Sequence, residues 1–246
     1  MSANKPAIIL VSAQMGENIG AAARAMLNCG LTDLRLVGPR DGWPNVKADR
    51  AAVGAFEMME PVRVFETTQE ALADLTYVYA TSARDRKMVK PVVTARFAAA
   101  EAREKIATGG RIGFMFGAER MGLVNDDVAL ADALLTVPLN PEFTSLNLAQ
   151  AVLLVGYEWF QAGDNTPPSQ VDLNGTELAT KDQVYAFFEH FERELDACGF
   201  LRNEAARPNM VRNLRNMWSR AQLTEQEVRT LHGVVKELTT LRVPRK

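Results

Sequence analysis

Four short stretches carry residues able to do chemistry. "VPLNPEFTSLNLAQAV" (137–152) runs from an apolar strand end through a polar turn holding Asn140, Pro141, Thr144 and Ser145, then becomes an apolar helix pattern at Leu146. Two prolines, two asparagines and paired hydroxyls exceed what a simple connection needs, so the turn reads as one that wraps a cofactor. "TSARDRK" (81–87) ends a strand on small hydroxyl residues and sets Arg84, Arg86 and Lys87 against the single acid Asp85. That suits phosphate or RNA backbone, and equally a solvated loop. "FMFGAERMGL" (114–123) ends a strand at Gly117, where a ligand can approach the backbone closely or the strand can simply stop. In "SAQMGENIGAAARAM" (12–26), Gly16 and Gly20 read as a tight turn, Asn18 as a helix cap, and Arg24 as lying one turn into the helix. Spacing alone also fits a glycine turn with a surface arginine. The stretch has neither G-x-G-x-x-G nor a G-K-[ST] ending, which disfavours a nicotinamide, flavin or P-loop site.

These loops need elements to hold them. β-rich runs at 7–13, 34–38, 77–82, 111–117 and 133–139 alternate with helix-like stretches at 19–29, 46–54, 68–74, 94–107, 124–132 and 146–161. Apolar strands alternating with helices predict an α/β fold, a mostly parallel sheet with helices on both faces. Ligands bind such sheets at the carboxyl ends of the strands, where the four stretches fall. Thr67 or Thr68 is placed to cap the helix carrying Glu70, and Asn125 with Asp126 and Asp127 to open another. Three segments follow from the composition: a first domain at 1–163, an aperiodic Pro/Gly/Asn/Asp-rich linker at 164–178, and a small all-α extension at 179–246. In the extension, Thr224 and Glu227 form a capping-box pattern, and Phe187, Phe188, Phe191 and Leu195 fall at helical spacing, as bundle core would.

The bulk numbers exclude little but direct attention. With 246 residues, 47% hydrophobic and 24% charged, the chain is long enough for a sizeable core. Net charge of −2 means any nucleic-acid binding must rest on a local patch. Residues 200–220 supply one: Arg202, Arg207, Arg212, Arg215 and Arg220 against Glu204 alone. Arg212 and Arg215 share a helix face. Two distant cysteines in no metal-like spacing argue against disulfides or a metal site and fit a reducing, cytoplasmic setting. The apolar run near the N-terminus is too short for a signal peptide, and no stretch reaches membrane-span length.

Taken in order, Asn18-Gly20-Arg24, then Phe116-Gly117-Glu119-Gly122, then Pro138-Ser145-Leu146-Asn147 resembles the SPOUT class (SpoU/TrmH family) of RNA 2′-O-ribose methyltransferases. "TSAR" at 81–84 and "NPEFTSLNLAQAV" are similar to its TrmJ branch, which acts on cytidine and uridine in the tRNA anticodon loop; "GFLRNE" and "NLRNMWSRAQLTEQEV" resemble that branch's C-terminal extension. The resemblance implies a deep trefoil knot in the C-terminal part of the sheet, S-adenosyl-L-methionine as cofactor, tRNA as partner, and a homodimer with its active site at the interface. The 140–147 turn would then enclose the cofactor. Main-chain groups of Val137, Leu139, Thr144 and Leu146 would meet its adenine and ribose, with Ser145 and Asn147 in the same turn and Thr81, Ser82, Ala83 and Gly117 on the other side. Implied catalytic residues are Arg24, Ser145, Asn18 and Glu119. Because a guanidinium stays protonated, Arg24 is expected to grip the phosphate beside the target ribose rather than act as a base. Ser145 is expected to bond the hydroxyl and Glu119 to hold a neighbouring arginine. Arg84, Arg86, Arg212 and Arg215 are the expected RNA contacts. Phe143 stands where some relatives carry tyrosine, and is assigned no catalytic role. Methylation of ribosomal RNA, or RNA binding without turnover, are the competing expectations.

Overall fold

A computed structural model describes residues 5–84, 86–169 and 171–240. Contacts divide the chain into two units, meeting between Thr166 and Pro167.

The first unit is built on a seven-stranded sheet. Its strands are β1 (Ala7–Val11), β2 (Leu34–Val37), β3 (Arg63–Phe65), β4 (Tyr77–Thr81), β5 (Val92–Thr94), β6 (Ile112–Phe116) and β7 (Ala133–Thr136). The order is β3-β2-β1-β6-β4-β7-β5, and every neighbouring pair is parallel. The expected parallel sheet is present, and it is parallel throughout. β3 and β5 are absent from the sequence reading. Each is three residues long at a sheet edge, with Val64 and Val92 exposed, so neither shows the apolar run of a buried strand.

Helices α1 (Gly16–Asn28), α2 (Val46–Ala52), α4 (Ala95–Ala107) and α6 (Leu148–Gln161) cover one face. There Ile8 and Leu10 pack with Ala22, Met26, Ala98 and Val152. Helices α3 (Thr68–Leu72) and α5 (Asn125–Ala129) cover the other, where Ala7, Ile9 and Val11 meet Ala71 and Val128. Successive β1 side chains thus enter opposite cores, which explains its unbroken apolar run.

Local details bear out one reading and revise two. Thr67 caps α3 in a full capping box with Glu70. Asn125 does not cap α5: Val124 holds that position, and the Asn125 Oδ1 accepts from Arg86 at 3.3 Å. Gly16 and Gly20 lie within α1 rather than in a turn. A Cβ on Gly20 would stand 2.1 Å from the Ala48 carbonyl oxygen, and one on Gly16 would stand 2.3 Å from Asn45 Oδ1. Both glycines let α2 lie directly against α1.

The second unit holds α7 (Lys181–Ala197), α8 (Arg207–Ser219) and α9 (Glu225–Thr240). Val184, Phe187 and Phe188 of α7 pack on Val228 and Val235 of α9, with Phe191 and Trp218 against them. The Thr224–Glu227 capping pair is present. Residues 177–179 are tied to the start of α9: the Ala179 amide donates to Leu223 and the Glu225 amide to Glu177. α8 has no buried residue. No helix among the described residues is long and apolar enough to cross a membrane.

Candidate active site

An all-parallel sheet gathers every carboxyl strand end at one edge. The loops after β4, β6 and β7 enclose a cleft of about 320 Å³ there. From β4 come Thr81, Ser82, Ala83, Arg84 and Arg86; from β6, Gly117, Glu119 and Arg120; from β7, Val137, Leu139, Thr144, Ser145 and Leu146. Leu135 and Leu148 give it an apolar floor. The volume falls in the range of small-molecule sites.

Each loop is fixed by its own bonds. The Thr81 hydroxyl donates to the Met115 carbonyl at 2.9 Å, joining β4 to β6. Ser82 Oγ accepts from Arg86 Nε at 2.9 Å and from the Arg84 amide at 3.2 Å. Gly117 permits a tight return: the Gly122 amide donates to Ala118 O at 2.7 Å, and a Cβ on Gly117 would stand 2.1 Å from the Gly122–Leu123 peptide.

Glu119 is the hub of a longer chain of bonds. Its carboxylate accepts from the Gln14 amide at 2.8 Å, the Met15 amide at 3.1 Å and Asn18 Nδ2 at 2.8 Å. Asn18 Oδ1 accepts from Asn147 Nδ2 at 2.9 Å. Asn147 Oδ1 in turn caps α6, accepting from the Ala149 and Gln150 amides, and Gln150 closes the capping box. Three loops far apart in sequence are thereby locked together. Burial alone would raise the Glu119 carboxyl; the bonds from Asn18, its own backbone, Gln14 and Met15 outweigh it and hold the carboxyl below the ordinary glutamate range. Glu119 is an ionised anchor, and no arginine bonds to it among the described residues.

The structure thus brings the expected cofactor residues into one cleft, except Asn147. Asn147 and Asn18 do not line the cleft; they form the bonded brace. Asn18 is in the first turn of α1 but caps nothing; Met15 holds the cap position. Arg24 is exposed, lies outside the cleft, and its guanidinium bonds no described residue. Arg84 and Arg86 line the cleft, but Arg86 is engaged by Ser82 and Asn125. Arg212 and Arg215 belong to the second unit. Arg215 makes a two-pronged ion pair with Glu192 at 2.6 and 2.8 Å, while Arg212 bonds only Pro208 O and Asn209 Oδ1. Sequence reasoning overlooked Arg120 at the cleft wall, whose signal was its place beside Glu119. Phe143 is exposed.

The segment 137–147 uses few of its own polar groups. No hydrogen bond among the described residues takes up the amides of Leu139, Thr144 or Leu146, all three of which line the cleft. Fixed main-chain donors above an apolar floor, with cations at the wall, fit a flat heterocycle carrying a polar, partly anionic tail.

Residues 5–157 match the SpoU rRNA Methylase family. The chain belongs to that family. Residues 182–245 match a second family model, the C-terminal domain of the tRNA methyltransferase TrmJ. A tRNA (cytidine/uridine/adenosine-2′-O-)-methyltransferase TrmJ from Pseudomonas aeruginosa is 36% identical over 94% of this chain and 92% of its own length. The crystal structure of TrmJ from Z. mobilis ZM4 is 48% identical, covers 95% of this chain and 99% of that one, and superposes with a TM-score of 0.82. An AdoMet-bound rRNA methyltransferase from Sinorhizobium meliloti shares the fold, with 21% identity and a TM-score of 0.53 over 65% of this chain and 57% of that one.

Proposed function

We propose that this protein transfers a methyl group from S-adenosyl-L-methionine to the ribose 2′-hydroxyl of a pyrimidine nucleotide in the anticodon loop of tRNA, acting as a cytoplasmic homodimer. The observation that carries the reading is the cleft. Two of the family's three motifs line it and the first is tied to it through the Asn18–Glu119 bond, and the amides of Leu139, Thr144 and Leu146 have no partner among the described residues. The names of full-length relatives and the matched C-terminal domain support tRNA as substrate.

In this reading Thr81, Ser82, Ala83, Gly117 and the 137–147 turn hold the cofactor, and that turn is the threaded loop of a deep trefoil knot. The cofactor supplies a methyl group already activated on a sulfonium, so the protein has only to align and stabilise. Ser145 hydrogen-bonds the acceptor hydroxyl. Arg24 grips the phosphate beside it and stabilises the negative charge that develops on oxygen. Glu119 and Asn18 keep the surrounding loops in register. Arg24 lies outside the cleft of its own chain, which favours a site completed across two subunits. Leu153, Tyr157 and Phe160, exposed along α6 at helical spacing, suit the subunit contact. Residues 1–163 are proposed as the catalytic domain, and residues 179–246, after the 164–178 linker, as the part that adds RNA affinity.

The test is transfer of labelled methyl to bulk tRNA lacking ribose methylation, with Arg24→Ala alongside and the product mapped by nuclease digestion and mass spectrometry. Label on an anticodon-loop ribose that the variant loses supports the reaction, the substrate and the role of Arg24. Label on ribosomal RNA alone replaces the substrate. Cofactor binding with no transfer to either RNA leaves a non-catalytic RNA-binding protein.

A further inference from the structure

The loop between β2 and α2, "GPRDGWPN" (38–45), plays no part in the function proposed above, yet it is carefully built. The Gly42 amide donates to Pro39 O at 3.0 Å, closing a turn with Arg40 and Asp41 at its tip. Gly42 takes the left-handed conformation, with φ 77°, as the chain leaves the turn. The Arg40 amide donates to Ala13 O at 3.0 Å, which fastens the turn to the β1–α1 loop that Glu119 anchors one and two residues further on. The Arg40 side chain is 57% exposed, and its acidic partner is its own neighbour Asp41, at 2.9 Å. Such an exposed pair contributes little to stability. The turn stands on its backbone bonds and leaves the guanidinium available.

Its position gives it a use. β2 lies beside β1, which lies beside β6. Arg40 therefore sits on the same edge as the cleft, two strand spacings (about 10 Å) from β6. Arg84 and Arg120, which line the cleft, share this edge, and neither pairs with an acid among the described residues. Two acids there are committed, Glu17 to Lys47 at 3.5 Å and Glu119 to its amides, while Glu66 after β3 and Glu142 after β7 are exposed. A chain of net charge −2 thus gathers Arg40, Arg84 and Arg120 at the end of the sheet that holds the cleft.

We infer that Arg40 is a phosphate-binding residue for the RNA substrate, parked on Asp41 in the free protein and contacting a backbone phosphate beyond the one beside the target ribose. This rests on the tRNA-methyltransferase reading. Release from Asp41 to a phosphate exchanges one exposed ion pair for a bidentate one and displaces a counterion from the RNA.

The experiment is a salt titration of tRNA affinity for the full chain, Arg40→Gln, Asp41→Asn and the double variant, with S-adenosylmethionine affinity measured beside each. Arg40→Gln should weaken tRNA binding at low salt and reduce the slope of log affinity against log salt by about 0.7, with cofactor affinity unchanged. Asp41→Asn should tighten tRNA binding in the wild-type background and lose that effect once Arg40 is Gln. A wild-type slope in Arg40→Gln overturns the inference and leaves the enzyme reading intact. So does an Asp41→Asn effect equal in both backgrounds, because that is only removal of a negative charge. A wild-type protein with no salt-dependent tRNA affinity overturns both.

Discussion

Asn18 Oδ1 accepts a 2.9 Å hydrogen bond from Asn147 Nδ2, across 129 positions of sequence. One amide holds Glu119, the other caps α6, and the bond between them fixes the end of the 137–147 turn to the first helix. Asn18→Ala should break the chain at its middle and leave Glu119 and Asn147 each missing a partner. A loss of about 1–3 kcal/mol is expected, with weaker S-adenosylmethionine binding. Thermal unfolding and calorimetric cofactor titration check both.

Glu119 makes the same brace sensitive to acid. Its folded carboxyl titrates below the ordinary 4.5, so its stabilisation is complete above that value and is lost as pH falls through the lower folded value. Glu119→Gln turns an amide toward donors that expect an acceptor and should be less stable than wild type at neutral pH. The gap should close as pH drops below about 4.5. Denaturant melts of both proteins from pH 7 to pH 3.5 measure it; a gap constant with pH removes the anchor role.

Gly20→Ala adds one methyl group where the Ala48 carbonyl oxygen stands 2.1 Å away. Helix propensity favours the change by about 1 kcal/mol, but forcing α2 off α1 should cost about 1–3 kcal/mol or more. A lower Tm together with reduced methyl transfer is expected, because Arg24 follows one turn later on the same helix. Ala21→Gly is the control at a site with no such contact.

The helical unit carries a different pH response. His190 and His232, the chain's two histidines, stack with ring planes 15° apart and share one Nδ1–Nδ1 hydrogen bond of 2.8 Å. One ring must donate and the other accept, so the doubly protonated pair cannot keep the bond. Burial, and then the charge of His190, lower the His232 value below 6.5. The unfolded chain takes up protons first, so stability of this unit should fall as pH drops from 6.5 through that lower value. Replacing both histidines with Gln should flatten the dependence. Circular dichroism melts between pH 7.5 and 5 decide it.

On α8 the two expected RNA contacts should part company. Arg212→Ala should lower the salt slope of tRNA binding by about 0.7. Arg215→Ala should leave it unchanged, because Glu192 already neutralises that guanidinium. Equal effects would mean that the ion pair opens when RNA binds.

The sheet and its cleft were legible because β1, β4, β6 and β7 are buried on both faces, which forces apolar runs, and because parallel strands put their following loops on one edge. Edge strands β3 and β5 left no such mark. Cleft-lining residues could be read from motif order. Their mutual bonds could not: whether Asn18 caps its helix or reaches Asn147 depends on how α6 returns to α1, a long-range fact. Gly20 was misread for the same reason, since a glycine in a turn and a glycine under a neighbouring helix look alike in one dimension. Arg215 looked like its neighbour Arg212 until Glu192, 23 positions earlier, was found beside it.

The strand order also governs how the chain is made. β6 lies between β1 and β4, and β7 between β4 and β5, so the middle of the sheet is filled by strands synthesised after both edges. As the polypeptide leaves the ribosome, β1 can pair only with β2 and β4 with no earlier strand; the two halves are joined by residues 112–116. Until then two long apolar strands expose unpaired edges, the condition under which nascent chains pair wrongly or recruit chaperones. Folding of this domain is consequently expected to be late, waiting first on β6 and then on β7, rather than growing strand by strand.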